Sequence, residues 1–304
     1  MTCCDPLFQL LKARLPKAVM RQHERLDAHT TLRVGGCADV YVEPSSEEDL
    51  AAVLECCRKE NIHFMALGRG SNLLVRDGGF RGVVICLAHA VFSAIQANGS
   101  TLRCGAGARL KAVAAKARQL NLSGLEFLDG IPGSVGGALR MNAGAMGRAT
   151  FDAVTQVRFM DGAGNVEVRD AAQVPVEYRC CPLFKTNIVL EATFAGQPDS
   201  KAAIAKRSEE FNKSRWQSQP KEASAGCIFK NPSKSIPAGR LIDELGLKGE
   251  RRGGAAVSTL HGNFIVNKGS ATAADVLELI EFIKSRAKAE RGIELREEVE
   301  IIGE

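Results

Sequence analysis

The 304-residue chain contains no apolar run approaching the roughly 18 residues that cross a bilayer, so no membrane-spanning helix is expected. Residues 1–19 lack a basic stretch followed by an apolar one and a small-residue cleavage site. No signal peptide is therefore expected, and the protein is read as cytoplasmic. Lysine and arginine never form a run of five, and the net charge is only +5. Nothing in that distribution favours nucleic acid, whereas a mild positive excess suits small anionic ligands. Ten cysteines include no C-x-x-C pair, and the five histidines show no ligand spacing, so no metal centre is expected. Six of the cysteines stand as adjacent doublets, Cys3-Cys4, Cys56-Cys57 and Cys180-Cys181, which read as reduced thiols filling core positions. No internal repeat or low-complexity tract is visible.

Two nucleotide signatures are missing as well. Gly68 and Gly70 lack the third glycine of G-x-G-x-x-G, and no G-x-x-x-x-G-K-[ST] occurs. What the chain does have is ample material for a core: 45% hydrophobic and 25% charged residues are an ordinary globular mix. Segments of strand and helix period alternate. Residues 38–44, 62–67, 82–87, 187–194, 226–231 and 263–267 read as strands. Residues 153–168 read as a hairpin turning at 161–165. Helical spacing of apolar residues marks 45–61, with Ser45 and Glu48 at capping-box separation, and also 109–120, 201–213, 238–245 and 272–291. Thr272 and Asp275 cap the last of these, Gly292 ends it, and a final strand is expected over 294–302. The pattern predicts an α+β protein of two or three layered regions, with a boundary near 196–200.

The strongest signal is two glycine clusters. The first is Gly68-Arg69-Gly70-Ser71-Asn72-Leu73-Leu74, directly after a strand. The second is Gly130-Ile131-Pro132-Gly133-Ser134-Val135-Gly136-Gly137-Ala138, followed by Asn142-Ala143-Gly144-Ala145. Residues without side chains let backbone N–H groups approach a pyrophosphate, and small Ser and Asn side chains add donors. Tight turns and close packing explain the same glycines equally well, and spacing alone does not name a ligand.

These clusters resemble the FAD-binding loops of the UDP-N-acetylenolpyruvoylglucosamine reductases. Further segments are similar to that family in the same order: Thr30-Thr31-Leu32 with Gly35-Gly36, Tyr178-Arg179, Gly226 to Pro232, Leu241-Ile242-Asp243, His261 to Asn267 and Leu295 to Val299. The resemblance spans residues 24–303. It implies a vanillyl-alcohol-oxidase/PCMH-type FAD-binding fold of two lobes, 1–82 and 83–200, plus a separate α+β substrate-binding domain over 201–294. The last strand, 295–304, would return to the first lobe. The short connection from Cys180 to Thr186 looks like the family's second type, which lacks an extra substrate-covering loop.

The resemblance further implies FAD as cofactor, NADPH as reductant, and reduction of the enolpyruvyl ether of a UDP-amino sugar in peptidoglycan precursor synthesis. FAD is expected to be noncovalent, because 66–79 and 130–147 hold no His or Cys to attach it. Its loops would be Gly68, Arg69, Gly70, Ser71, Asn72 and Leu73, then Gly130, Ile131, Pro132, Gly133, Ser134, Gly136, Gly137, Asn142 and Ala143. Arg179 falls on the family's carboxylate-binding cation, whose planar fork suits two-point contact. Glu298 falls on its glutamate in Leu295-Arg296-Glu297-Glu298-Val299, where Arg296 departs from the family's first glutamate. Cys227 stands where the family usually carries its proton-donating serine. A thiol with an ordinary pKa of about 8.5 is mostly protonated at neutral pH and can serve as donor. Tyr178, Arg215, Gln219, Lys230 and Asn231 are the expected substrate contacts, and His261 is expected to order the backbone around Asn263. Two other readings stay open on the residues alone: another flavoenzyme on the same fold, and a nucleotide-binding regulator.

Overall fold

The structure, a computed structural model, describes residues 4–233 and 235–304, with the side chains of 4, 5 and 216 outside the description, so the Cys3 and Cys4 thiols both lie outside it. It divides into two compact units: Met1–Gln22, Asp39–Arg69 and Gly82–Ser214 form the first, and His23–Ala38, Gly70–Arg81 and Arg215–Glu304 the second. Each has a core of its own. These units cut across the expected three-part division, since 83–200 lies wholly in the first and 1–82 is shared.

The first unit carries helices α1 (Cys4–Arg14), α2 (Glu47–Lys59), α3 (Leu110–Gln119), α4 (Val135–Arg140) and most of α5 (Lys201–Ser218). Strands Phe64–Leu67 and Phe80–Cys86 run parallel, with Phe64 opposite Val83. A five-stranded antiparallel sheet runs in the order Val166–Asp170, Val154–Met160, Ile188–Ala195, Thr101–Gly105, Ile95–Asn98. Its hairpin turns where the sequence predicts: Asp161 Oδ1 accepts from the N–H groups of Ala163 and Asn165, closing an Asx-type turn. Val40, Leu54, Leu110, Leu139, Phe159 and Phe194 are among the side chains buried in this core. Each such side chain contributes roughly 1.5–3 kcal/mol by leaving water.

Two local expectations shift. The cap of α2 is Ser46, whose hydroxyl accepts from the Asp49 N–H, rather than Ser45. The neighbouring Ser45 instead donates its own N–H and hydroxyl to the Asp49 carboxylate, so the two serines share one acidic residue. The boundary expected near 196–200 is occupied by a strand, Gln197–Pro198, paired with Leu122–Ser123. The change of unit falls inside α5 instead, because Arg207 binds Glu126 and Asp199, and Asn212 binds Asp129.

The second unit packs α6 (Ala238–Glu244) and α7 (Ala273–Arg291) with a sheet ordered Ala223–Cys227, Phe264–Asn267, Ala255–Val257, Arg251–Arg252. Thr272 and Asp275 form the expected capping box, and Gly292 closes α7 at φ 67°, a left-handed value that suits glycine. Phe229, Ile242, Val257, Ile265, Leu279 and Ile283 lie in its core. The C-terminal strand is shorter than expected, only Glu300–Ile302, and pairs in parallel with Leu73–Val75. Residues 296–298 instead lie across from 228–230, where Phe229 and Glu297 form an isolated antiparallel bridge, so the parallel ladder begins only at Glu300. Among the described residues, no helix is long and apolar enough to cross a membrane.

Candidate active site

In the first unit the chain encloses a cavity of about 300 Å³. Gly68 and Arg69 from the first glycine cluster, and Ser134, Gly136 and Gly137 from the second, stand in its wall. The clusters meet there: a methyl group on Gly68 would come 2.7 Å from Ser134 Oγ. Ser134 caps α4, its hydroxyl facing the Gly137 N–H. Gly130, Ile131, Pro132, Gly133, Asn142 and Ala143 are not part of the lining.

The sequence reading missed several wall residues. Ala106, Gly107 and Ala108 form a side-chain-poor stretch after strand Thr101–Gly105, and their small residues in a row are the signal that could have found them. Arg109 and Arg140 join Arg69 in the lining, which gives it three guanidinium groups. Cys86 also lines it, outside 66–79 and 130–147, and burial raises its thiol pKa.

The wall fits a dinucleotide on its own geometry. At Gly136 an added methyl would press on Ala106 Cβ at 3.1 Å, so packing within the protein accounts for that glycine. At Gly137 it would meet only Ser134 Oγ, at an ordinary 3.5 Å. Protein packing therefore does not require glycine at 137, which leaves room there for a bound group to approach the backbone. Apolar and small side chains suit a ring system, and the arginines suit phosphates.

Arg179 belongs to the same unit. It occupies a tight turn closed by Glu177 N–H to Cys180 O (2.8 Å) and Cys180 N–H to Glu177 O (3.3 Å). Its backbone is left-handed, φ 58°, a conformation costing a non-glycine residue about 1–3 kcal/mol. The guanidinium lies 5.4 Å over the exposed ring of Tyr178, and Nη1 donates to Gly144 O at 3.4 Å. Gly144 has to be small, since a methyl group would sit 2.6 Å from the backbone oxygen of Arg148 and 3.0 Å from that nitrogen.

The second unit gathers the other reactive residues. Ser71 and Asn72 belong to it, with Gly70 held at φ 58° against His29. Thr31 donates its N–H to Gly70 O and its hydroxyl to Ser224 O. Cys227 ends its strand after a register shift between Ser224 and Cys227, in which Gly226 takes φ 76°. Such a bulge re-aims the next side chain, and it ends the strand expected over 226–231 early. Glu298 donates its N–H to Ile228 O at 2.7 Å, which sets it across from the residue after Cys227. Asn72 Nδ2 donates to Glu298 O, and Leu73 pairs with Glu300. Lys230 donates its N–H to Arg296 O. Asn231 Oδ1 accepts from the Ala238 N–H at the start of α6. Arg215 and Gln219 bond to each other.

His261 does what the sequence suggests. Its Nδ1 accepts the Asn263 N–H at 3.1 Å, and its ring packs edge-on against Phe264. Burial, with Lys248 nearby, lowers its pKa below the ordinary 6.5. The folded state thus favours the neutral ring, and the unfolded chain takes up the proton at higher pH. Stability should therefore fall as pH drops below about 6.5, where protonated Nδ1 can no longer accept. His261→Gln is expected to flatten the dependence of Tm on pH over that range. An unchanged slope would assign the titration to another group.

The eight cysteines whose side chains are described, all but Cys3 and Cys4, are free thiols. Cys57 and Cys104 are buried, with pKa values pushed up by burial to about 12, as core-filling residues should be. Among the described residues no acidic, histidine and cysteine side chains cluster as metal ligands.

The fold and its glycine-walled cavity define an FAD-binding oxidoreductase. Residues 38–169 match the family model described as FAD binding domain, and residues 219–302 match UDP-N-acetylenolpyruvoylglucosamine reductase, C-terminal domain. The reductase of that name from Syntrophus aciditrophicus is 45% identical over 92% of this chain and 91% of its own. The one from Geobacter metallireducens is 43% identical over 99% of both chains. The crystal structure of the Thermus caldophilus enzyme superposes with a TM-score of 0.81 at 37% identity, covering 94% of this chain and 99% of that one. The chain belongs to the UDP-N-acetylenolpyruvoylglucosamine reductase family. It is accordingly an FAD- and NADPH-dependent oxidoreductase of peptidoglycan precursor synthesis.

Proposed function

We propose that the protein reduces UDP-N-acetylglucosamine-enolpyruvate to UDP-N-acetylmuramate, with Arg179, Cys227 and Glu298 as its catalytic residues. The observation that carries this reading is that Cys227 and Glu298, 71 positions apart in sequence, are brought to hydrogen-bonded neighbouring segments.

The substrate is a vinyl ether whose inner carbon bears a carboxylate. A bound FAD would supply the hydride chemistry, with NADPH as the source and the terminal vinyl carbon as the acceptor. Negative charge then develops on the inner carbon and its carboxylate, and that carbon needs a proton. The Arg179 guanidinium, held at a fixed angle by its turn, neutralises that charge. The Cys227 thiol gives its proton to the inner carbon. Glu298 orients the carboxylate or its neighbours.

The wall residues Gly68, Arg69, Ser134, Gly136 and Gly137 hold the cofactor, with the backbone of Gly70 to Leu73, of Gly130 to Gly133 and of Ala143. No covalent bond is involved, Cys86 included. Tyr178, Arg215, Gln219, Lys230 and Asn231 contact the substrate. Functionally the chain divides into FAD-binding parts, 1–82 with 295–304 and 83–200, and a substrate part, 201–294. The enzyme acts in the cytoplasm, on small molecules and not on nucleic acid.

Steady-state kinetics with NADPH and the enolpyruvyl sugar test this reading. One site used in turn by both gives parallel double-reciprocal lines. All flavin should also appear in the supernatant after acid precipitation. Intersecting lines, or colour retained in the pellet, would count against it.

Gly137 offers a separate check on the cavity. Alanine within α4 should leave the apoprotein as stable or more stable, by about 0.5–1 kcal/mol. The methyl group should nonetheless cost about 1–3 kcal/mol of FAD binding, a weakening of roughly 5- to 150-fold. Unchanged FAD affinity in Gly137→Ala would place the cofactor elsewhere.

A further inference from the structure

Asn142 closes the second glycine cluster, yet its side chain is turned toward protein rather than toward the cavity lining. Its Oδ1 accepts from the Phe151 N–H at 3.3 Å, and its Nδ2 donates to Glu177 O at 3.2 Å. Glu177 is the first residue of the turn that holds Arg179, and the same carbonyl accepts from the Cys180 N–H. Asn142 itself is left-handed, φ 39°, which asparagine tolerates better than most residues. Two residues on, Gly144 O receives Arg179 Nη1. A further bond joins the end of α4 to the segment after the turn: Cys181 N–H donates to Arg140 O at 2.8 Å. Arg140 in turn lines the cavity and donates to Phe184 O. Helix α4, whose first turn forms part of the cavity wall, is therefore bonded through its C-terminal end and the loop beyond it to the Arg179 turn.

We propose that Asn142 is a positioning residue for Arg179: its amide fixes the Glu177–Cys180 turn against the loop after α4, and so sets where the guanidinium meets the substrate carboxylate. This rests on the role given to Arg179 above. The amide acts at the turn and not on the cofactor. Its loss should leave FAD in place and move only the events that depend on the guanidinium. A misplacement of about 1 Å at a reacting group costs up to roughly 10²-fold in rate, so a single tether matters.

Two variants isolate the tether. Asn142→Asp keeps the left-handed backbone and the acceptor for Phe151 but cannot donate to Glu177 O. Asn142→Gly keeps the backbone conformation, adds no charge and removes both contacts. In each holoenzyme four quantities are measured: the FAD dissociation constant, the dissociation constant of UDP-N-acetylmuramate from the oxidised enzyme, and the rates of the two half-reactions. FAD affinity and the half-reaction with NADPH should stay within about 2-fold of wild type, while the half-reaction with the sugar substrate slows by about 10- to 10²-fold and product binding weakens. In an Arg179→Lys background the Asn142 substitutions should add less than about 2-fold, the non-additivity of residues acting as a unit. The proposal is overturned if the losses add, if FAD affinity and both half-reactions fall together, or if the sugar half-reaction keeps its wild-type rate in an enzyme that Arg179→Lys slows. If Arg179→Lys alone leaves that half-reaction untouched, the role assigned to Arg179 fails, and this inference fails with it.

Discussion

Cys227→Ala is expected to slow the half-reaction with the enolpyruvyl sugar by about 10²- to 10⁴-fold, the usual contribution of a general acid. The half-reaction with NADPH should remain near wild type, because no proton reaches the substrate in it. Cys227→Ser should keep substantial activity, since a hydroxyl on the same bulged backbone can also donate. The bulge matters to this expectation. Gly226 at φ 76° and the register shift before Cys227 fix the direction of residue 227 whichever side chain it carries. The thiol adds a signature that serine lacks. A thiolate cannot donate, so the rate should fall at alkaline pH as the thiol ionises, and the fall should move to higher pH in Cys227→Ser. Stopped-flow measurement of the sugar half-reaction in Cys227→Ala is decisive. A wild-type rate there would make Cys227 a structural residue and assign the proton to water or another side chain.

Arg179→Lys should be nearly as damaging, with the sugar half-reaction slowed roughly 10²-fold, as when a preorganised donor to a developing anion is lost. Lysine keeps the charge but not the planar fork, and its ammonium cannot both stack on Tyr178 and reach Gly144 O as the guanidinium does. Loss of function here need not mean loss of fold. The left-handed backbone at 179 is strained for any L-residue with a side chain, so Arg179→Gly should be no less stable to heat than wild type while losing the sugar half-reaction. A variant that melts early, or that slows both half-reactions equally, would show that Arg179 serves the fold or the cofactor instead.

Both predictions rest on residues legible in the sequence, but for unequal reasons. Cys227, Arg179 and Glu298 were found through motif order, which names residues without saying what holds them. The period of apolar residues gave α3 and α7 to within a residue or two, because a helix repeats its buried face every 3.6 residues and needs only local information. The hairpin at 161–165 was legible for the same reason, since Asp161 satisfies its own turn.

Features depending on distant residues were not legible. The division into two units threads residues 23–38 and 70–81 into the company of 215–304, and no composition change marks those joints. The last strand is shorter than its local pattern suggests, because nothing local says that 296–298 will lie across from 228–230 before the chain joins Leu73–Val75. Arg109, Arg140, Cys86 and the stretch 106–108 entered the cavity wall only once the strands had folded beside the glycine loops. Sequence by itself determined the local elements and the identity of the reactive groups, since both are written in short patterns. Only the tertiary structure decided which glycines are required by packing, which amides are already spent on backbone, and what fixes Arg179. Those are questions of which atoms lie within a few ångströms, and chain order does not contain that information.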